Sequence, residues 1–560
     1  MNQVCLAVPS EDGMDIYSAT QDSNSCQYAA SLVIDKPMNY VNITVPRLGG
    51  AFGGKGSDSS TVVAATSLAA YLSKRPVRLS FDLSTNIRTF GKRPPYKATY
   101  KAGFNKDGKV QVVEIEFISD VGFHEGGCFF TTYTMGYMDM CYFVPNWKVT
   151  GRSVMTNKRV MVAVRAPGSV PAALVSESIF EHVSRALNKH PTIVKELNLY
   201  QSEQKDLAGH VLVRCTVREL WRRLKDTAEV DARIRQVDAF NQDNMWKKRG
   251  ITMTTCKYGM CYFGNGHGAT VTIFAKDGSV QISQGGVEMG QGLYTKVAQG
   301  VAHILGVPLE KIKVRPNQGI ISPNNIGSGG SIANESSMQA AIGAAEILKE
   351  RMRPIREKFP EANWKELCQK SAAGKLDLTA RFLNQHQMGS PYVNYHTYCI
   401  AVTETEVDIL TGESQIRRVD IMADYGESLN PMIDIGQTEG GFVMGLGNFL
   451  TEDTLFDSKT GRILTDGTWN YKPPTTKDIP IDWRIHLLPD TPNPSGIRSS
   501  KATGEPSIAL SVGGLLANKL ALESARKDLL GKDDFIPVVA PFTVERAQQS
   551  VGLNESILAV

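Results

Sequence analysis

Residues 285–296 read Gly285-Gly286-Val287-Glu288-Met289-Gly290-Gln291-Gly292-Leu293-Tyr294-Thr295-Lys296. The stretch before it, 269–283, reads as a strand pair turning at Lys276-Asp277-Gly278, and the stretch after it, from about 293 to 305, as a helix. A strand, a glycine loop and a helix therefore follow one another. Glycine lets backbone approach a ligand closely, and the N–H groups at a helix start favour anions.

The same grammar recurs on either side. Val41-Asn42-Ile43-Thr44-Val45 alternates at the strand period. The cluster from Arg47 to Ser57 follows it, then a small-residue helix over Thr61–Leu72, a stop at Pro76 and a strand from Val77. Gly327-Ser328-Gly329-Gly330-Ser331 precedes a long helix that Pro354 is expected to end or kink. One such loop is accounted for by turns and helix packing. Several together suit a large, anionic, polar cofactor. Gly49, Gly54 and Lys55 also satisfy the spacing of a phosphate-binding loop. That motif needs Ser or Thr next, whereas Gly56 stands there and Ser57 comes one place late, which argues against nucleotide hydrolysis.

Elsewhere a short strand is predicted over 14–19, a hairpin over 96–120 around Lys106-Asp107-Gly108, and a helix over 172–188. One amphipathic helix is predicted over 217–241, with Leu220, Leu224, Ile234 and Val237 on its apolar faces. A second block opens at Trp246, has strands at 401–409 and 415–422 around Thr411-Gly412-Glu413, and ends in a helix over 506–527. The fold class is mixed α/β (α+β). A chain of 560 residues exceeds one hydrophobic core, so two domains are expected, 1–203 and 226–560, joined by a polar linker over 204–225.

A hydrophobic content of 42% with 21% charged residues describes an ordinary globular protein, and a net charge of +4 gives no field for nucleic acid or a membrane surface. No run of 18 apolar residues and no secretory leader is evident, so a cytoplasmic location is expected. The nine cysteines are scattered. Cys256 and Cys261 form the closest pair with no second pair beside it, so free thiols are expected rather than zinc or iron–sulfur ligands.

These loops resemble those of a known family. Residues 47–55 (RLGGAFGGK), 162–168 (VAVRAPG), 285–296 (GGVEMGQGLYTK), 327–331, 424–447 and 500–506 (SKATGEP) resemble, in order, the molybdopterin loops of the aldehyde oxidase / xanthine dehydrogenase family. The likeness covers nearly the whole chain. The Ala51 variant of the first loop is most similar to insect aldehyde oxidases. The resemblance implies two elongated molybdopterin-binding domains of the xanthine oxidase family, the first incomplete at its N-terminus. It also implies a molybdenum-molybdopterin cofactor contacted by Phe52, Gly53, Arg165, Gly290, Gln291, Gly329, Gly330 and Ser331. The pterin dithiolene would hold the metal, with no direct protein ligand. By type alone Arg165 suits a surface ion pair, and only its loop gives it this role.

Glu505 matches the family's catalytic position, between Gly504 and Pro506 at the start of an apolar helix. The resemblance implies a general base that takes a proton from a metal-bound hydroxyl. Without that frame, a carboxylate in a first helical turn is an ordinary helix-stabilising residue.

Relatives that act on purines carry Glu where this chain has Gly56 and Arg near Cys128, and no arginine lies between Gly122 and Asn146. Tyr262 and Phe263 match an aromatic pocket wall, although one of them could equally be plain core, and Pro167 takes the second wall position. The resemblance thus implies an oxidoreductase acting on a small-molecule aldehyde, or on N-heterocycles, as a homodimer. The alternatives are a non-catalytic relative and a purine hydroxylase of the xanthine dehydrogenase type. The likeness begins at Val4–Pro9. The family's preceding strands, and a glutamine that bonds a molybdenum ligand, would fall before Met1. Its 2Fe-2S clusters and FAD belong to N-terminal domains not seen in this sequence. The chain by itself is therefore expected to reduce oxygen poorly.

Overall fold

The computed structural model describes residues 2–262, 265–319, 321–385 and 393–553. Two compact units are each assembled from separated segments: Met1–Gly91, Met260–Tyr395 and Pro494–Ser499 in the first, and Lys92–Gly259, His396–Asn493 and Ser500–Val560 in the second.

The first unit holds two sheets. One runs Asn317–Gln318, Val41–Val45, Met14–Ser18, Val4–Pro9 and Val77–Ser80. Its register sets Ala7 opposite Ile16 across an antiparallel pair and Ile16 opposite Ile43 across a parallel one. Alternation sends these residues to one face. There they form a core with Cys26 and Ala30 of the helix Ser23–Val33 and with Val62, Val63 and Ala70 of the helix Ser59–Ser73. The first of these helices was not predicted, because its polar start hides the periodicity. Its signal is Asp22, whose carboxylate accepts the Ser25 N–H as an N-cap. The second sheet runs Ile312–Val314, Val280–Gln284, Asn265–Ile273 and Thr379–Gln385, packed by the helices Leu293–Leu305 and Ala333–Lys358. The latter helix does not end at Pro354 but continues one turn to Lys358. Proline there removes one backbone hydrogen bond, near a C-terminus where few remain to lose.

In the second unit the predicted hairpin is Tyr96–Phe104 paired with Val110–Gly122, extended by a parallel strand Asn146–Met155. A second sheet runs Asp482–Leu487, Ser414–Asp424, Tyr395–Asp408 and Lys247–Met260. The single helix expected over 217–241 is two helices, Val217–Thr227 and Val230–Asp243. They break at Glu229, which takes the left-handed conformation at φ 52°. The break turns Arg233 inward, where it pairs with Glu404 at 2.9 Å and Asp420 at 2.8 Å, while Ile234 is only half-buried. Part of the segment 204–225 is accordingly helical.

The last predicted helix starts at Pro506 but pauses at Ser511, then runs Val512–Leu530, and a further helix follows at Val544–Val551. By length and composition Pro506–Leu530 could cross a membrane, but 89% of its apolar window is buried in the fold. Its apolar faces are used as core.

Candidate functional site

The glycine loops of the first unit are tied to one another by Gln21, a buried side chain that the sequence reading did not single out. Its Oε1 accepts the N–H of Gly53 at 2.9 Å and of Lys55 at 3.3 Å, and its Nε2 donates to the carbonyl of Ser328 at 2.8 Å. The Ser328 N–H donates back to the Gln21 carbonyl, and its Oγ accepts the Val287 N–H at 2.8 Å. The Leu48 N–H reaches the Glu288 carbonyl at 2.9 Å. Phe52, Gly53, Gly290, Gln291, Gly329, Gly330 and Ser331 therefore lie on three mutually bonded loops.

Several of these residues hold left-handed backbone: Phe52 at φ 51°, Gly53 at 98°, Gly290 at 107°, Gly330 at 60° and Ser331 at 60°. Gly290, Gly329 and Gly330 are exposed, and a Cβ on Gly290 or Gly329 would meet no atom within 4 Å. The loops thus present a bare backbone face. Not every amide of the third loop points to a ligand, however. The Glu288 carboxylate accepts the N–H groups of Gly290 at 2.9 Å, Gly292 at 3.2 Å and Tyr294 at 2.9 Å. Gln291 folds back on the same loop, accepting the Met289 N–H at 2.7 Å and donating to the Val287 carbonyl at 2.8 Å. At this helix start a side chain supplies the negative charge. Gly56 continues the first loop, its N–H on the Gly53 carbonyl at 3.1 Å, and the neighbouring Lys55 is buried.

Tyr262 is buried in the same unit. Its hydroxyl donates to Glu335, which also accepts the Tyr395 hydroxyl at 2.6 Å. Burial raises the Glu335 pKa, and the two phenols work against that rise. Phe263 lies outside the described residues.

The second unit brings Arg165, Pro167 and Glu505 together. Ala166 sits between the first two at φ 58°, a conformation costing an ordinary residue about 1 kcal/mol. What the strained backbone achieves is visible: the Ala166 N–H donates to Glu505 Oε1 at 2.7 Å. The Arg165 guanidinium donates from Nε to the Gly504 carbonyl and from Nη2 to the Gln437 carbonyl at 3.0 Å. Burial lowers its pKa and the Glu505 charge opposes that. Arg93, also unremarked in the sequence, donates to the carbonyls of Val164 at 2.8 Å and Arg165 at 2.6 Å. Burial pulls its guanidinium down to about 10, against the charges of Glu452 and Glu505.

Glu505 itself is buried, and its Oε2 accepts the Tyr258 hydroxyl at 2.7 Å. Pro506 occupies the first turn of the following helix, so Glu505 stands at its N-cap. Gly168 follows Pro167 and lets the loop press on the helix Phe129–Tyr137, since a Cβ there would lie 2.8 Å from the Tyr133 carbonyl carbon. Cys128 precedes that helix, half-buried and a free thiol. Asp206, His210 and His396 bring three potential metal-ligand atoms within 4.8 Å of one another. The Lys257 ammonium, 3.0 Å from the same Asp206, already supplies the positive charge.

The family described as Molybdopterin cofactor-binding domain matches this chain over residues 2–199 and again over 223–480. Rice xanthine dehydrogenase is 35% identical across 98% of the chain. The chain belongs to the molybdopterin cofactor-binding domain family. Indole-3-acetaldehyde oxidase of Arabidopsis thaliana is 33% identical over 94% of the chain. The chain spans 41% of the length of the rice relative and 40% of the Arabidopsis one. Among solved structures, quinoline 2-oxidoreductase from Pseudomonas putida 86 superposes with a TM-score of 0.85 at 21% identity, covering 98% of the chain and 74% of that protein. Aldehyde oxidoreductase from Desulfovibrio gigas gives 0.84 at 21%, covering 99% and 59%. Both share the mixed α/β fold. The cofactor of these two domains is molybdenum-molybdopterin. The residues of the first unit fit it: open glycine faces on three bonded loops suit close approach of a flat, anionic pterin.

Proposed function

We propose that this chain is the cofactor-binding, catalytic part of an aldehyde oxidase-like hydroxylase, converting aldehydes to carboxylic acids with oxygen from water. Glu505 is the general base in this reading. The observation that carries it is the setting of its carboxylate: buried, oriented through both oxygens by Ala166 and Tyr258, and beside the Arg165 loop. A helix-capping glutamate needs no such support. When bound, the molybdenum cofactor supplies a Lewis-acid metal that takes up two electrons from the substrate carbon. The protein's own work is to orient Glu505, accept the proton of the attacking nucleophile on that carboxylate, and keep water from it.

Phe52, Gly53, Gly290, Gln291, Gly329, Gly330, Ser331 and Arg165 are proposed as cofactor contacts. The substrate pocket would draw on Gly56, Cys128, Pro167, Tyr262 and Phe263. Gly56 and Cys128 offer no charge to clamp a purine, which favours an aldehyde. The relatives named xanthine dehydrogenase favour a second reading, purine hydroxylation. The enzyme is further proposed to be a cytoplasmic homodimer that passes electrons to 2Fe-2S and FAD groups outside these residues.

The test is expression in a host that makes the cofactor, with bound molybdenum measured and dye reduction assayed on benzaldehyde and hypoxanthine. Molybdenum near one atom per chain with benzaldehyde turnover is expected. Loading without turnover of either substrate overturns the catalytic reading, and faster hypoxanthine turnover selects the second one.

A further inference from the structure

The Glu505 carboxylate is held on two sides by donors of unlike kind. The Ala166 N–H on Oε1 is backbone, fixed by its loop. The donor on Oε2 is a side chain that substitution can remove, the Tyr258 hydroxyl at 2.7 Å. We infer that Tyr258 is a positioning residue for Glu505, holding its carboxylate in one orientation and favouring its ionised form. This rests on the reading of Glu505 as general base.

Three observations support the assignment. Tyr258 is buried in the strand Lys247–Met260, so its phenol has no competing bulk water. Its ring stacks on Tyr137, centroids 5.4 Å apart and planes 26° from parallel, and the Tyr137 hydroxyl donates to the Gly259 carbonyl at 3.2 Å. The ring therefore has little freedom, and its hydroxyl is aimed by packing. Burial, reinforced by the Glu505 charge, pushes the Tyr258 pKa well above 10, so the phenol stays protonated and donates.

A hydrogen bond to the charged form of an acid favours ionisation. The charged or titratable neighbours that act on Glu505 include Arg165, Arg93, Tyr137 and Tyr258. The two arginines are anchored to backbone carbonyls, and Tyr137 reaches Gly259 rather than the carboxylate. Loss of the Tyr258 hydroxyl thus changes a direct bond to the base while leaving those charges in place. A base held ionised remains competent to lower pH.

The test uses the full chain carrying Tyr258→Phe, unloaded for the first readout and cofactor-loaded for the second, with Glu505→Gln as reference. The first readout needs no turnover: infrared titration of glutamate carboxylates in the unloaded chain, with the Glu505 band assigned by its absence from Glu505→Gln. Its titration midpoint is expected to rise by about one pH unit in Tyr258→Phe, the size of one charge-assisted hydrogen bond. The second readout is the acid limb of kcat/KM for benzaldehyde, expected to rise by the same amount with KM little changed. Replacing Tyr258 by 3-fluorotyrosine, a stronger donor of the same shape, moves both downward and guards against a Tyr258→Phe chain that folds badly. Midpoints unmoved in both variants overturn the inference. Undiminished turnover in Glu505→Gln overturns the base assignment itself, a result distinct from the infrared shift, which reads the Tyr258 contact alone.

Discussion

Replacing Gln21 by Leu should loosen the glycine loops of the first unit. The side chain is buried and serves three backbone groups: the Gly53 and Lys55 N–H and the Ser328 carbonyl. Leucine keeps much of the volume and none of the hydrogen bonds. The Lys55 contact, at 3.3 Å, is the longest of the three and contributes least. Stranding the other two groups costs about 1–3 kcal/mol each, and Gly53 lies towards the lower end because it is only half-buried. The loops therefore lose about 3 kcal/mol of local stability, or about a hundredfold in amide exchange at Gly53. Hydrogen–deuterium exchange read by mass spectrometry over residues 47–58 and 325–332 measures this, with the strand Tyr96–Phe104 as an internal reference. Gln21→Glu keeps the acceptor for Gly53 and loses the donor to Ser328, so it should fall between, about tenfold faster than the parent. If Gln21→Leu exchanges at the parental rate over both loops, the loops are held without Gln21 and the reasoning fails.

Three further outcomes are expected. Arg93→Met removes the guanidinium from the carbonyls of Val164 and Arg165; kcat/KM should fall about a hundredfold through misplacement of the Ala166–Glu505 contact while far-ultraviolet circular dichroism stays unchanged, and parental kinetics would contradict this. Lys195→Met leaves Glu177 and Glu181 without the ammonium that lies 2.9 and 2.8 Å from them in a fully buried cluster; a loss of about 3–5 kcal/mol is expected in denaturant unfolding of the second unit. Burial of Asp206 opposes its ionisation, but His396, Lys257 and the His210 N–H outweigh it and lower its pKa. Its contribution to stability is therefore complete above the unfolded value of about 4 and is lost as pH falls from there toward the lower folded value; Asp206→Asn should flatten the acid side of a melting-temperature profile below about pH 4.

The sequence by itself determined the mixed α/β class, most strands and helices, and the family. Each of these is written in local signals. The alternation at Val41–Val45, the turn at Lys106-Asp107-Gly108 and the glycine loops around 50, 290 and 329 all became the elements they predict. The position of Glu505 before a helix was legible for the same reason, since Gly504 and Pro506 mark a helix start within three residues. Where a local signal was weak or cut short, the reading failed. Glu229 breaks the helix pattern over 217–241 because Arg233 gains buried partners in Glu404 and Asp420, far away in sequence.

Only the tertiary structure decided what surrounds the site. Gln21 lies 307 residues from the Ser328 it holds, Arg165 is 339 from Gly504, and Tyr258 is 247 from Glu505. No periodicity or motif links positions so far apart, because a hydrogen bond depends on where folding brings two atoms and not on their order in the chain. The stretch 285–296 shows both sides. Its glycines announced a loop entering a helix, which it is. That Glu288 takes up the amides of Gly290, Gly292 and Tyr294 follows from side-chain geometry, which residue spacing does not specify.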